Sequence, residues 1–359
     1  MEFAKMSIIQ SILFNEIVLW ATEENQKRLE ALVSSPHNVS NVVRKVTLYP
    51  SPYSTAISFA MFQDVLHLQA SHIVDPRLIH PRYYHTWPEF MAPYRPLEGD
   101  CHVDSEQASY DHYSAQAAKD AQTFENDLQA SWTLALKTFR HVRTIRLCSF
   151  NRYQDSNLLN PNAKIKFPNS SSYVSFRLLD NVITACGHNI VPVVAEALRD
   201  SGVRIEALEV DCELFQCYDL KEDLLGLEQV TFENLRALSL SHHSPLFQYP
   251  SYFELTPSTE TVQRRCGNLA THILTCATST IEEVRILFFK KSADIRVPNL
   301  SLDVPGLSSL RSIHLQRAHI AGLVFAAEIA RLPNLQEIRI QECLLYRHRV
   351  HGEPAVTPN

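Results

Sequence analysis

FENLRALSL (232–240), LSSLRSIHL (307–315) and LPNLQEIRI (332–340) share one spacing: apolar, two variable, apolar, two variable, apolar, one variable, apolar. FRHVRTIRL (139–147) repeats it, and RIEALEV (204–210) carries a shortened form. IEEVRILFF (281–289) fits with Phe289 as the closing residue, and VVRKVTL (42–48) and LFNEIVL (13–19) are earlier copies. Two apolar residues two apart share one face of an extended strand. The apolar residue three earlier plugs the turn that leads into the strand. The residues between them then face the opposite way.

Helical stretches separate these strands. In 189–200, Ile190, Val194, Ala197 and Leu198 fall on one face, with Asn189 placed to cap the start and Gly202 following the end. Segment 261–277 places Val262, Cys266, Leu269, Ile273 and Ala277 on one stripe, and 319–331 does so with Ile320, Leu323, Val324 and Ala327. A long helix is predicted over 106–138, with the stripe Tyr113, Ala117, Ala121, Phe124, Leu128, Trp132 and Leu136. Helices also fit 22–33 and 54–69. The last strands are predicted 25 to 26 residues apart, at Leu287, Ile313 and Ile338.

Alternating strand and helix at that period resembles leucine-rich repeats of the F-box/leucine-rich-repeat type, most clearly over 279–345. LPNLQEIRIQEC ends with Cys343 where that family has Asn or Cys, while Phe150, His243, Ser292 and Ala318 occupy that position in other copies. LFNEIVLWATEENQKRLEALVSSPHNVSNVVRKVTLYP (13–50) is similar to the stretch after the F-box in fungal F-box proteins, where an LFxxIxL strand precedes a short helix ending in Ser-Pro and then VRxLxL. The F-box itself would stand upstream of Leu13, so the resemblance implies an F-box-like protein without its F-box. It implies an α/β fold: one irregular solenoid over 1–359, with a curved, mostly parallel, concave sheet and helices on the convex face. It also implies the substrate-recognition half of a ubiquitin-ligase receptor, a protein-binding role without catalysis. Ligase components would join it only through an F-box supplied upstream. A truncated relative without a ligase role, and an enzyme on another α/β scaffold, are the alternatives.

Composition narrows the partners. The 359 residues are 45% hydrophobic and 20% charged, with a net charge of −6 spread along the chain. That is globular, and it offers no basic face for nucleic acid. The start, MEFAKMSIIQSILFNEIVLW, contains Glu2, Lys5, Asn15 and Glu16 and so lacks the apolar core of a secretory signal. No apolar run approaches a membrane span of ~20 residues. An intracellular protein is expected, cytoplasmic or nuclear, and the sequons at Asn38, Asn169 and Asn299 are then chance matches. None of the eight cysteines has C-x-x-C spacing. Cys186 and Cys276 lie in apolar contexts and are predicted to be small buried residues.

No residues point to catalysis, a cofactor or a metal. Gly-rich phosphate loops and G-x-S-x-G are absent, and the sixteen histidines include no H-E-x-x-H. The acidic pairs Glu23–Glu24, Glu222–Asp223 and Glu282–Glu283 are adjacent in sequence, so their side chains diverge. Segment 72–105 is predicted to be an irregular insertion rich in Pro and aromatics, including Tyr83, Tyr84, Trp87, Phe90 and Tyr94. Its acidic neighbours Glu98, Asp100, Asp104 and Glu106 disfavour nucleobase stacking.

A protein partner is therefore expected on the variable face of the strands. The pleat assigns to that face Tyr49, Arg146, Glu209, Asp211, Phe288, Lys290, His314, Gln316, Arg339 and Gln341 as partner-binding residues. Lys45, Thr47, Thr144, Cys148, Ala237, Ser239, Ser241, Ser312 and Glu337 join them. Loops 149–176, 242–260 and 290–305 leave strand ends and are expected beside this face.

Overall fold

The structure is a computed structural model and describes residues 15–34, 39–51, 53, 55, 57–60, 62, 103–149, 164–166, 173–175, 189–216, 226–242, 259–288, 307–316 and 319–346. The strands are β1 (Glu16–Trp20), β2 (Lys45–Tyr49), β3 (Thr144–Leu147), β4 (Lys164–Lys166), β5 (Tyr173–Ser175), β6 (Ala207–Asp211), β7 (Ala237–His242), β8 (Glu283–Phe288), β9 (Ser312–Gln316), β10 (His319–Ala321), β11 (Glu337–Gln341) and β12 (Leu344–Tyr346). The helices are α1 (Glu23–Val33), α2 (Val103–Asn126), α3 (Leu128–Thr138), α4 (Ile190–Ser201), α5 (Thr259–Cys276) and α6 (Gly322–Ile329).

Eight strands form one open sheet in the order β1-β2-β3-β6-β7-β8-β9-β11, and every neighbouring pair is parallel. Their spatial order follows the chain without reversal. β10 and β12 make a second parallel pair, and β4 and β5 a separate antiparallel pair. A parallel pair cannot be joined by a tight turn, so the chain must cross back between strands. Helices α1 to α6 lie in such crossings.

Each strand of the large sheet after β1 begins in the same way. Two consecutive amides converge on one carbonyl of the preceding strand's start: Arg44 and Lys45 on Asn15, Arg143 and Thr144 on Arg44, Glu206 and Ala207 on Arg143. Arg236 and Ala237 then converge on Glu206, Glu282 and Glu283 on Arg236, Arg311 and Ser312 on Glu282, and Gln336 and Glu337 on Arg311. Side chains join the stack at this level. Asn334 Nδ2 donates to Ser308 O at 2.5 Å, Ser309 Oγ to Ser279 O at 2.6 Å and Thr280 Oγ1 to Leu235 O at 2.9 Å. Cys343 Sγ, two residues past β11, donates to Leu315 O of β9 at 3.5 Å.

The apolar pairs of the motif form the core. Ile17 and Leu19, Val46 and Leu48, Ile145 and Leu147, Leu208 and Val210, Leu238 and Leu240, Val284 and Ile286, and Ile313 and Leu315 are all buried in one cluster. The plugging residues Val43, Val142, Ile205, Leu235, Ile281 and Leu310 join them, as do Leu136, Val194, Ala197, Leu198, Leu269 and Ile273 from the helices. The helices therefore cover the apolar face of the sheet. Each fully buried aliphatic side chain contributes about 1.5–3 kcal/mol.

Local signals set several helix ends. Asn189 Oδ1 accepts from Val191 N at 2.9 Å, and Gly202 closes α4 in the left-handed region at φ 65. No other residue type takes that conformation at so little cost. Thr22 Oγ1 caps α1 by accepting from Asn25 N at 3.3 Å.

The structure corrects four expectations. The 106–138 helix is two helices with a turn at Asp127, whose amide and carbonyl still continue the hydrogen bonding, to Thr123 O and from Ser131 N. In β8 the core pair is Val284 and Ile286, three residues before the expected Leu287 and Phe289, because Leu238 pairs with Val284 and Leu240 with Ile286. Among the described side chains of α6, Phe325 and Glu328 are buried, whereas Leu323 is 68% exposed and Ala327 is exposed; the side chains of Ile320 and Val324 lie outside the described residues. Cys276 is exposed, because the buried stripe of α5 runs through Cys266, Leu269, Ala270, Ile273 and Leu274. The helix expected over 54–69 and the insertion 72–105 fall mostly outside the described residues, as does Cys186, although 103–105 begin α2.

Leu238→Ala should cost about 2–5 kcal/mol, the cost of truncating a fully buried leucine. Leu323→Ala should stay within about 0.5 kcal/mol. Urea midpoints of the two variants check the corrected face of α6.

Candidate functional site

Parallel pairing without stagger arranges the other face of the sheet in rows. The first row runs Glu16, Lys45, Thr144, Ala207, Ala237, Glu283, Ser312, Glu337. The second runs Val18, Thr47, Arg146, Glu209, Ser239, Arg285, His314, Arg339. The third carries Trp20 and Tyr49 at one end and Asp211, Ser241, Leu287, Gln316 and Gln341 towards the other.

The two halves of this face differ. In the first half, Arg146 Nε lies 3.2 Å from Glu209 Oε2, and Lys45 Nζ reaches both Glu209 Oε1 at 3.5 Å and Glu16 Oε1 at 3.8 Å. Thr47 Oγ1 donates to Glu16 Oε1 at 2.7 Å. Two cations and two carboxylates thus form one closed network, with Thr47 and Arg146 buried. Asp211 is fully buried and bridges three strands: it accepts from Ser149 N at 2.9 Å and from Ser241 Oγ at 2.8 Å. Tyr49 is also buried, stacked on Trp20 at 4.6 Å between ring centroids.

In the second half the face is open. Arg285 and Arg339 are exposed, and each pairs with the glutamate two residues earlier on its own strand: Arg285 Nη2 with Glu283 at 2.7 Å and Arg339 Nε with Glu337 at 2.6 Å. His314 lies between the two arginines in register and is half-buried. Its Nε2 is buried without a hydrogen-bond partner.

The expected partner-binding residues divide accordingly. Tyr49, Arg146 and Asp211 belong to the buried half, because ring stacking and ion pairing hold their side chains in the fold. Glu209 is half-buried in the same network. His314 and Gln316 are half-buried and Arg339 and Gln341 exposed on the open half. Burial in β8 falls on Val284 and Ile286, so its outward residues are Glu283, Arg285 and Leu287, one step away from the expected Phe288. Lys290 lies outside the described residues, as do most of loops 149–176, 242–260 and 290–305. Arg285 and Glu283 were thus missed, and the signal that finds them is the alternation of Ile281, Val284 and Ile286.

Two other polar clusters carry chemistry-bearing groups. Cys276 Sγ and His272 Nε2 lie 3.5 Å apart, one turn apart on α5. Partial desolvation pushes the thiol up and the imidazole down, the reverse of what an activated thiolate–imidazolium pair requires. The buried Asp120 accepts from Ser51 Oγ at 2.7 Å, from Gln116 Nε2 at 3.1 Å and from Glu23 N, the first amide of α1, at 3.1 Å. Burial raises its carboxyl above the usual range, against the lowering effect of these donors. Burial, with Asp120 and Glu24 nearby, also pushes Tyr53 up to about 12. This cluster ties α2 to the start of α1.

Among the described residues no group of three or more His, Cys, Asp or Glu side chains is placed to hold a metal. A small cavity lined by Leu19, Val46, Trp132, Phe139 and Val194 is apolar and lies within the core between sheet and helices. Among the described residues no helix is long and apolar enough to cross a membrane. Compared with known proteins, the chain matches no family model, no curated protein and no solved structure.

Glu209→Ala should destabilise by about 1–3 kcal/mol, since it strands the buried Arg146. Glu337→Ala should cost less than about 1 kcal/mol, as for other exposed pairs. Equal urea midpoints would contradict the division of the face. The raised carboxyl of Asp120 means that the folded chain keeps this proton to higher pH than the unfolded chain. Its stabilising contribution is complete below the unfolded value and is lost as pH rises through the folded one. Asp120→Asn removes the titration, so its stability relative to wild type should rise from acid to neutral pH. Parallel pH profiles would refute this.

Proposed function

We propose that this chain is a protein-binding module of the solenoid type, related in design to the leucine-rich substrate-recognition half of an F-box receptor, and that it performs no catalysis itself. Three features support the solenoid. The strands stack in chain order, every start after β1 repeats the same paired-amide geometry, and Ser312 to Glu337 and His319 to Leu344 advance by the same number of residues. A stacked array buries its apolar set between neighbours and leaves the variable set as a continuous surface.

The observation that carries the binding role is the open half of the polar face, on β8, β9 and β11. Glutamates, then basic groups, then Leu287 with glutamines stand in three rows on strands held by the core. The unsatisfied Nε2 of His314 sits in the middle row. A buried ring nitrogen without a partner costs free energy until a ligand group meets it. Balanced charge of this kind suits a polypeptide with its own alternating charges better than a phosphate backbone. The partner is therefore a protein, and ligase components would associate only where an F-box is supplied.

Affinity capture with the whole chain, followed by mass spectrometry, tests this reading. The same proteins should be recovered reproducibly with wild type and lost, at least tenfold, with Arg285→Ala/His314→Ala. Unchanged recovery by the double variant would refute the assigned face.

A further inference from the structure

The last strand of the large sheet breaks the pattern of the others. All residues of β11 are exposed. Ile338 and Ile340 occupy the positions that Ile313 and Leu315 fill on β9, yet they are 41% and 44% exposed while the β9 pair is buried. At the opposite end of the sheet the equivalent pair, Ile17 and Leu19, is buried. Among the described residues no strand lies beyond β11. Glu337 N donates to Arg311 O, so Glu337, Arg339 and Gln341 turn their backbone groups towards β9. Ile338 and Ile340 therefore turn their N–H and C=O groups outward, along the edge that no described strand pairs with.

We propose that this edge pairs with the same edge of a second copy of the chain, antiparallel, about a two-fold axis at Ile338. A symmetric dimer brings identical edges together, and a two-fold axis across the sheet makes them antiparallel. The strand EIRIQ (337–341) is self-complementary in one register. With the axis at Ile338, the two Ile338 residues exchange both backbone hydrogen bonds. Glu337 of each copy then stands opposite Arg339 of the other. Both charges lie on the polar face, and each guanidinium keeps its own carboxylate while gaining a second. An axis at Arg339 would set Arg339 against Arg339 instead. An axis at Ile340 would set Arg339 against Gln341 and bring no opposite charges together. Opposite charges across strands stabilise the pair and like charges destabilise it. The exposed Ile338 side chains meet on the apolar face.

Sedimentation equilibrium on the full chain tests the proposal. Wild type should show a dimer at tens of micromolar that dissociates on dilution. Arg339→Glu and Glu337→Arg each put like charges across the axis and should weaken the dimer at least tenfold. Combining them restores opposite charges and should restore the dimer. Far-UV circular dichroism should be unchanged throughout, since both side chains are exposed. A wild type that stays monomeric, single variants that dimerise like wild type, or a double variant that does not recover would each overturn it. Loss of dimer does not touch Arg285 or His314, so its failure is separable from failure of partner capture.

Discussion

The paired amides that open each strand of the large sheet after the first set the geometry of everything else. Two consecutive N–H groups converging on one carbonyl hold each strand at the same height as its neighbour. Because each strand repeats this at its start, the sheet has no stagger. Zero stagger aligns the apolar pairs into one strip that the helices can cover, and it aligns the outward residues into rows. A slip of one residue at any start would move that strand's apolar pair to the polar face.

Along the sheet, burial of the polar face declines. At the first strands Tyr49, Thr47 and Arg146 are buried and the charges are closed upon one another. A cation shared between carboxylates in a part-buried setting has little left to offer a partner. On β8 and β11, Arg285 and Arg339 pair with glutamates on their own strands and keep their exposure. The same outward alternation thus produces a structural network in one half and an accessible surface in the other. Asp211 marks the boundary from the structural side, because its carboxylate fastens Ser149 and Ser241 across neighbouring strands.

Much of the architecture was legible in the chain. Phe232, Leu235, Leu238 and Leu240 announce a plugged turn and a one-sided strand, and the structure buries all four. Asn189 and Gly202 bracket α4 as their side-chain chemistry requires. Legibility failed where two readings of an apolar run were equally regular. In IEEVRILFF, Val284/Ile286 and Leu287/Phe289 both satisfy the spacing, and only pairing with Leu238 and Leu240 selects the first. That choice decides whether Arg285 or Phe288 belongs to the outward set. In α6 the apolar residues surround the helix, so periodicity did not identify the face that Phe325 buries.

By itself the sequence determined that strands and helices alternate, which residues enter the core of most strands, and that the strands' second face is polar. These follow from local spacing and side-chain chemistry, which act within a few residues. Tertiary structure decided the register of β8, the closing of Arg146, Glu209 and Lys45 into one network, the isolation of His314 Nε2 between two arginines, and the exposure of Ile338 and Ile340. Each of these depends on which of the described strands lies alongside. That is a relation between residues far apart in the chain, and no local pattern contains it.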